Sequence, residues 1–131
     1  MSKPSEKVKA TAKTRCEQGP PQDIVPQYIS RAKTTDVIDF SLLICKANSQ
    51  ALVYLDTNLL TKADGQDQVS LTLPKLSPGF HQLYWNVFGV ADKDWQTRAD
   101  IRINGIVSFL RRRKNSDNNP TLTGFWVVEI I

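Results

Sequence analysis

Asn104 and Gly105 place a tight turn inside the segment 96–114, QTRADIRINGIVSFLRRRK. A two-residue hairpin turn of type I′ needs a positive φ at both central residues, and Asn-Gly adopts it at the least steric cost. Apolar and β-branched residues flank the turn on both sides. The segment therefore predicts a β-hairpin and makes a β protein the expected class.

The rest of the chain shows the alternation of short strands. Ile38, Phe40, Leu42 and Ile44 alternate with more polar neighbours, and turn-forming residues separate this segment from later ones of the same kind. Turn signals recur about every 8–12 residues and no segment has a convincing helical period. We predict an all-β fold, an immunoglobulin-like antiparallel β-sandwich of seven or eight strands, with a jelly roll as the alternative. Phe40 and Trp85 are the expected core anchors.

The turn and strand from Pro78 to Trp85 read Pro-Gly-Phe-His-x-Leu-x-Trp. This pattern resembles the generic one of bacterial immunoglobulin-like modules. The resemblance covers only this part of the chain, and it implies an architecture without implying a function.

The first 22 residues differ in composition from the rest. They lack apolar periodicity, end in Gly19-Pro20-Pro21, and carry five basic against two acidic side chains, so most of the net charge of +4 lies there. Such a segment buries too little apolar surface to order by itself. We predict a flexible basic N-terminal arm at 1–22 and a single β-sandwich domain at 23–131.

The cellular location of the protein and the oxidation state of its two cysteines are predicted from weaker features of the sequence. The basic N-terminus has no apolar stretch behind it, and no segment approaches the length that crosses a bilayer, so a cytoplasmic protein without a membrane partner is expected. Cys16 and Cys45 are then expected to be free thiols, with a disulfide between them as the open alternative.

Catalytic residues are sparse. His81 is the one histidine, and the chain has no nucleophile elbow, no glycine-rich phosphate loop and no cysteine or histidine pair with zinc spacing. The aspartates of the predicted loops, Asp64, Asp67, Asp92 and Asp94, match no calcium-loop pattern. We expect a protein that is not an enzyme and that binds no cofactor or metal.

The aromatic residues are the main candidates for a binding surface. In the strand at 80–90, Leu83 and Trp85 take one face while Tyr84 and Phe88 take the other. In the hairpin, Val107 and Phe109 are expected on one face, and the other face holds Ile101, Ile103, Ile106 and Leu110. The alternative is a bulge that brings Val107 and Phe109 into the core. Trp95 is the expected exposed indole. The predicted partner-binding residues are Tyr84, Phe88, Trp95, Val107 and Phe109.

The basic run at the end of the hairpin is the candidate anion contact, and it consists of Arg111, Arg112, Arg113 and Lys114. Alternate residues of a strand point to opposite faces, so the four charges cannot form one stripe. The run also protects a strand edge. It lacks the interleaved aromatics that stack bases, so no specific nucleic-acid partner is expected.

Taken together, these features favour a non-enzymatic protein-binding or self-assembly module, with a homo-oligomer as the expected partner and the arm ordering on contact. The alternative is a carbohydrate-binding β-sandwich that stacks a glycan on an exposed Trp95, Tyr84 or Trp85.

Overall fold

The computed structural model describes residues 15–45, 49–89, 95–114 and 121–131. Within these ranges the chain forms a short 3-10 helix at Arg15–Glu17 and nine strands. The strands are β1 (Ser30–Ala32), β2 (Ile38–Cys45), β3 (Ser49–Leu55), β4 (Asn58–Asp64), β5 (Gln68–Thr72), β6 (Gly79–Gly89), β7 (Gln96–Ile103), β8 (Ile106–Lys114) and β9 (Thr121–Ile130). No helix in the described ranges is long and apolar enough to cross a membrane.

The strands form two sheets packed face to face. The five-stranded sheet has the order β1-β9-β6-β3-β4 and the four-stranded sheet the order β5-β2-β7-β8. Every neighbouring pair is antiparallel except β1 and β9. This confirms the predicted all-β sandwich. The finer assignments, immunoglobulin-like or jelly roll, stay predictions.

The described residues hold more strands than the seven or eight expected. The segment after Ala51 forms β3 and β4, because a turn with Asp56 at a φ of 55° separates them. The short strand β1 at Ser30–Ala32 precedes these strands and pairs with the end of β9.

The core lies between the sheets and is built from the alternate residues of facing strands. Phe40 of β2 and Trp85 of β6 are both buried, with ring centroids 5.1 Å apart, which confirms their prediction as core residues. Phe109 of β8 meets the edge of the same indole, with centroids 6.0 Å apart. Burying large aromatic rings in offset or edge-to-face contact contributes more than their area alone.

The hairpin forms as its turn residues predict, with φ of 52° at Asn104 and 80° at Gly105. Its register changes at a β-bulge, because Arg102 pairs with Val107 whereas Ile101 pairs with Phe109. The extra residue reverses the faces of β8 beyond the bulge. The expected grouping of Leu110 with Ile101 is therefore wrong, and the bulge that the sequence left open is confirmed.

Cys16 and Cys45 form a disulfide, so the expectation of free thiols is wrong. The Cys16 sulfur lies 3.8 Å from the carbonyl of Gln96, and Gln96 of β7 pairs directly with Cys45 of β2. Cys16 is fully buried against the outer face of the four-stranded sheet. Its segment is thus covalently attached to the end of β2.

Arg112 attaches the same segment by hydrogen bonds. Its guanidinium donates to the carbonyls of Cys16, Gln18 and Pro20 at 3.0, 2.8 and 2.7 Å, and to the Asp23 carboxylate at 3.0 Å. Residues 15–22 of the predicted arm therefore lie on the sandwich. Residues 1–14 of that arm lie outside the described residues, and the domain boundary stays a prediction.

Gly124 of β9 makes room for the Trp85 indole, because a Cβ at this position would overlap three atoms of the ring. Gly124 has no positive φ, so the constraint is one of space and not of backbone conformation.

We expect Gly124→Ala to lower the free energy of unfolding by about 1–3 kcal/mol, the usual cost of overpacking a core. Trp85→Phe should remove most of that cost, so the two substitutions should be strongly non-additive. Urea unfolding of the single and double variants measures the coupling, with Thr123→Ala on the exposed face of β9 as the control. Additive effects would show that the indole does not occupy the space above Gly124.

Candidate functional site

A row of aromatic side chains crosses the outer face of the five-stranded sheet. Tyr54 of β3 pairs with Tyr84 of β6, and Tyr84 pairs in turn with Phe125 of β9. The two tyrosine rings lie 6.1 Å apart. Because side chains alternate along each strand, these three point away from the core that their neighbours Val53, Leu83 and Trp126 enter.

Further apolar residues extend this row. Leu59 of β4 lies opposite Tyr54, and Phe80 and Phe88 lie near the two ends of β6. Phe80 and Phe125 are 64% and 60% exposed. We name this surface the aromatic face, and its residues are Tyr54, Leu59, Phe80, Tyr84, Phe88 and Phe125. Soluble monomers seldom expose an apolar surface of this kind, which marks it as a candidate binding site.

Polar groups lie among the rings. Asp56, Gln82 and Asn86 border a shallow depression of about 490 Å³ together with the two tyrosines. The Tyr84 hydroxyl donates to the Asn86 side-chain oxygen at 2.9 Å. The depression therefore offers flat rings together with hydrogen-bonding groups.

His81 and Asp56 form an ion pair at the border of this face. The ring Nδ1 lies 2.8 Å from the Asp56 carboxylate and Nε2 lies 2.8 Å from the Ser77 carbonyl. The hydrogen bond with Asp56 and then that with Ser77 raise the pKa of His81 above its ordinary value. Partial burial raises the pKa of Asp56, but its hydrogen bonds with the Gln82 N–H and with His81 outweigh this and lower it overall. These partners bind both ring nitrogens, so His81 has a structural role here.

The structure places the predicted partner-binding residues in different environments. Tyr84 and Phe88 lie on the aromatic face, and Val107 lies half-buried on the outer side of the four-stranded sheet. Trp95 and Phe109, with exposures of 0% and 4%, are buried, so their expected exposure is wrong.

Each error has a cause in the packing of the sandwich. The bulge turns Phe109 toward Trp85. Trp95 packs flat on Gly89, where a Cβ would approach the indole within 3.0 Å. Trp85 and Trp126 are buried as well. All three tryptophans of the chain are thus unavailable for stacking a sugar.

The basic run divides as strand alternation predicts. Arg112 points to the outer side and holds the segment that carries Cys16, so its role is structural. Arg111 and Arg113 point to the other side, into a groove of about 280 Å³ beside Tyr28, Phe109 and Trp126. We name this the arginine groove. Lys114 is exposed at the end of β8.

A wider groove of about 700 Å³ lies on the outer face of the four-stranded sheet. Most of its charged side chains are in ion pairs: Arg98 and Arg102 lie 3.8 and 3.4 Å from the Asp100 carboxylate, and Arg15 lies 3.2 Å from Asp67. Burial lowers the pKa of Arg98. The internal pairing leaves this groove little charge to offer a ligand.

Phe80 is a surface residue that the sequence analysis missed. It directly follows the turn at Pro78-Gly79 and begins the strand predicted at 80–90. The alternation of side chains along the strand does predict its position, because Phe80 lies four residues before Tyr84 and therefore shares its face. Within the described residues, no group of three or more His, Cys, Asp or Glu is arranged to hold a metal ion.

Comparison with known proteins finds no matching family model, no similar curated sequence and no similar solved structure. Any statement on function therefore rests on the geometry of the chain itself.

The His81–Asp56 pair predicts a pH-dependent contribution to stability. The pKa of His81 is raised in the folded protein, so the contribution is complete below its ordinary value of 6.5 and is lost as the pH rises through the folded value. For Asp56, whose pKa is lowered, the contribution is present above 3.8 and is lost as the pH falls.

We expect His81→Gln to cost about 1 kcal/mol or less near pH 6, the size of a partly screened ion pair, and progressively less toward about pH 8. Urea unfolding of wild type and variant at a series of pH values measures the difference. A difference that grows with pH would contradict the assigned pair.

Proposed function

We propose that the protein is a non-enzymatic module that binds another protein, and in the simplest case a second copy of itself, through the aromatic face. The observation that carries this proposal is the row of Tyr54, Tyr84 and Phe125, extended by the exposed Phe80 and Phe88. Aromatic residues are enriched at the centres of protein interfaces because they bury a large area with few rotatable bonds.

A second copy fits the aromatic face on grounds of shape and charge. Sheets pack face to face with their strands nearly aligned, so one sheet face can serve as its own partner about a two-fold axis. The row itself carries no charged side chain, and Glu129 at one end of the sheet is already paired with Arg31 at 3.0 Å. Two aromatic rows would therefore meet without like charges between the rings.

The basic N-terminal arm is proposed to make a second contact with the bound partner. The sequence of residues 1–14 carries four lysines and one glutamate, and ordering such a segment costs about 1–2 kcal/mol per residue in backbone entropy. We propose that this part orders when a partner is bound, because it needs a partner surface to offset that cost.

A glycan is the second candidate ligand, and a specific observation favours it. The depression between Tyr54 and Tyr84 combines two rings with Asp56, Gln82 and Asn86, which is the combination that a sugar ring requires. Because all three tryptophans are buried, a sugar ring would have to stack on Tyr84 instead of Trp95 or Trp85.

The remaining expectations from the sequence stay proposals. They are an immunoglobulin-like module of bacterial type, a cytoplasmic location, no enzymatic activity, no cofactor, and neither a specific nucleic acid nor a membrane as partner. The Cys16–Cys45 disulfide weighs against the cytoplasm, because disulfides persist in oxidising compartments.

We expect the wild-type protein to associate as its concentration rises, and Phe80→Ser with Phe125→Ser to weaken that association at least about tenfold, since an interface aromatic commonly contributes more than about 1 kcal/mol. Sedimentation velocity over a concentration series measures it. Ile106→Ser, which removes an exposed apolar side chain from the hairpin turn, is the matched control.

Three results would contradict self-association through this face. They are a wild-type monomer at every concentration, an unchanged double variant, or an equal loss in the control. Binding of a defined glycan that Tyr84→Ala abolishes and the double serine variant retains would favour the second candidate instead.

A further inference from the structure

β9 has an edge that no described strand covers. β1 pairs only with its last part, from Ser30 opposite Val128 to Ala32 opposite Ile130. Before Ser30 the chain runs to the other sheet, where Ile24 exchanges backbone hydrogen bonds of 2.9 and 2.8 Å with Leu110. Residues 122–127 of β9 are therefore paired with β6 on one side and, within the described ranges, with no strand on the other. We name them the open edge.

The open edge lacks the features that usually protect a strand edge. Its sequence, LTGFWV, has no charged residue and no proline. By contrast, the edge strand β4 carries Lys62 and Asp64 and is distorted where the register shifts between Val53 and Tyr54. An unprotected edge presents unpaired N–H and C=O groups that can accept another extended chain.

The arginine groove lies directly beside the open edge. Residues of both line the same cavity, with Arg111 and Arg113 of β8 on one side and Gly124–Val127 on the other. Among the described residues neither arginine has an acidic partner, whereas Arg112 between them is paired with Asp23 at 3.0 Å. Two charges that have no counterion among the described residues thus face a space that is bordered by apolar side chains.

We propose that an extended acidic peptide segment of a partner protein binds here, adding as a strand beside the open edge in line with β1, with alternate carboxylates on Arg111 and Arg113. Side chains two residues apart on a strand share a face and lie ~7 Å apart, so the two arginines and two alternate acids have the same spacing. The intervening side chains of the peptide would lie on the side of Phe125. Backbone hydrogen bonds supply affinity in this mode of recognition, and the alternate side chains supply specificity.

The charge of the groove selects among the possible occupants. The chain's own residues 1–14 are rich in lysine and would meet Arg111 and Arg113 with like charge. A second copy joined edge to edge would bring two arginine pairs to one junction. An acidic segment is complementary to both arginines. This site is separate from the aromatic face and does not depend on self-association.

The first test uses a short capped fluorescent peptide with glutamate at two alternate positions and valine between them. Fluorescence anisotropy should show binding that weakens with salt, and Arg111→Gln with Arg113→Gln should weaken it at least about tenfold, as for loss of desolvated charge pairs. Lys62→Gln with Lys75→Gln removes the same net charge elsewhere and should leave binding nearly unchanged. Equal losses in both double variants, or tight binding of the matching lysine peptide, would overturn the proposal.

The second test keeps the protein unchanged, so it does not depend on how the arginine variants fold. N-methylation of alternate amides removes hydrogen bonds from one edge of the peptide and keeps its charge. Methylation of one alternate set should abolish binding and methylation of the other should not. In the bound complex, hydrogen exchange should slow at amides within residues 122–127. Equal binding of both methylated peptides, or unchanged exchange, would overturn strand addition.

Discussion

The packing of Trp85 between the two sheets determines which way the central strands face. Its indole lies against Phe40 on one side, meets the edge of Phe109 on another, and occupies the space above Gly124. These contacts join β2 and β8 of one sheet to β6 and β9 of the other. A shift of one residue in β6 would expose the indole, so the contacts also fix the register.

Both candidate binding surfaces follow from that register. With Trp85 directed inward, its neighbour Tyr84 must point outward, and pairing across the sheet brings Tyr54 and Phe125 beside it. The bulge that turns Phe109 toward the indole also turns Arg111 and Arg113 toward β9 and leaves Arg112 on the outer side. The same core contact thus positions the aromatic face and the arginine groove on two sides of β9.

Local patterns were sufficient to predict the fold class and the outward direction of Tyr84 and Phe88. The Asn104-Gly105 turn and the alternation in β2 and β6 depend on neighbouring residues, and both are confirmed. The buried positions of Trp95 and Phe109 depend on the space beside Gly89 of β6 and on a bulge, and the alternation of apolar and polar residues specifies neither. The disulfide joins two cysteines 29 residues apart whose proximity comes from the tertiary fold.

The central claim is that the aromatic face is a contact surface, and hydroxyl-radical footprinting at low and high protein concentration tests it most directly. We predict that Phe80, Tyr84 and Phe125 are oxidised in dilute protein and become protected as the concentration rises. Ile106, which is exposed on the hairpin turn, should be oxidised equally in both. Oxidation of the three aromatics that does not change with concentration, or protection of Ile106 instead, would contradict the claim.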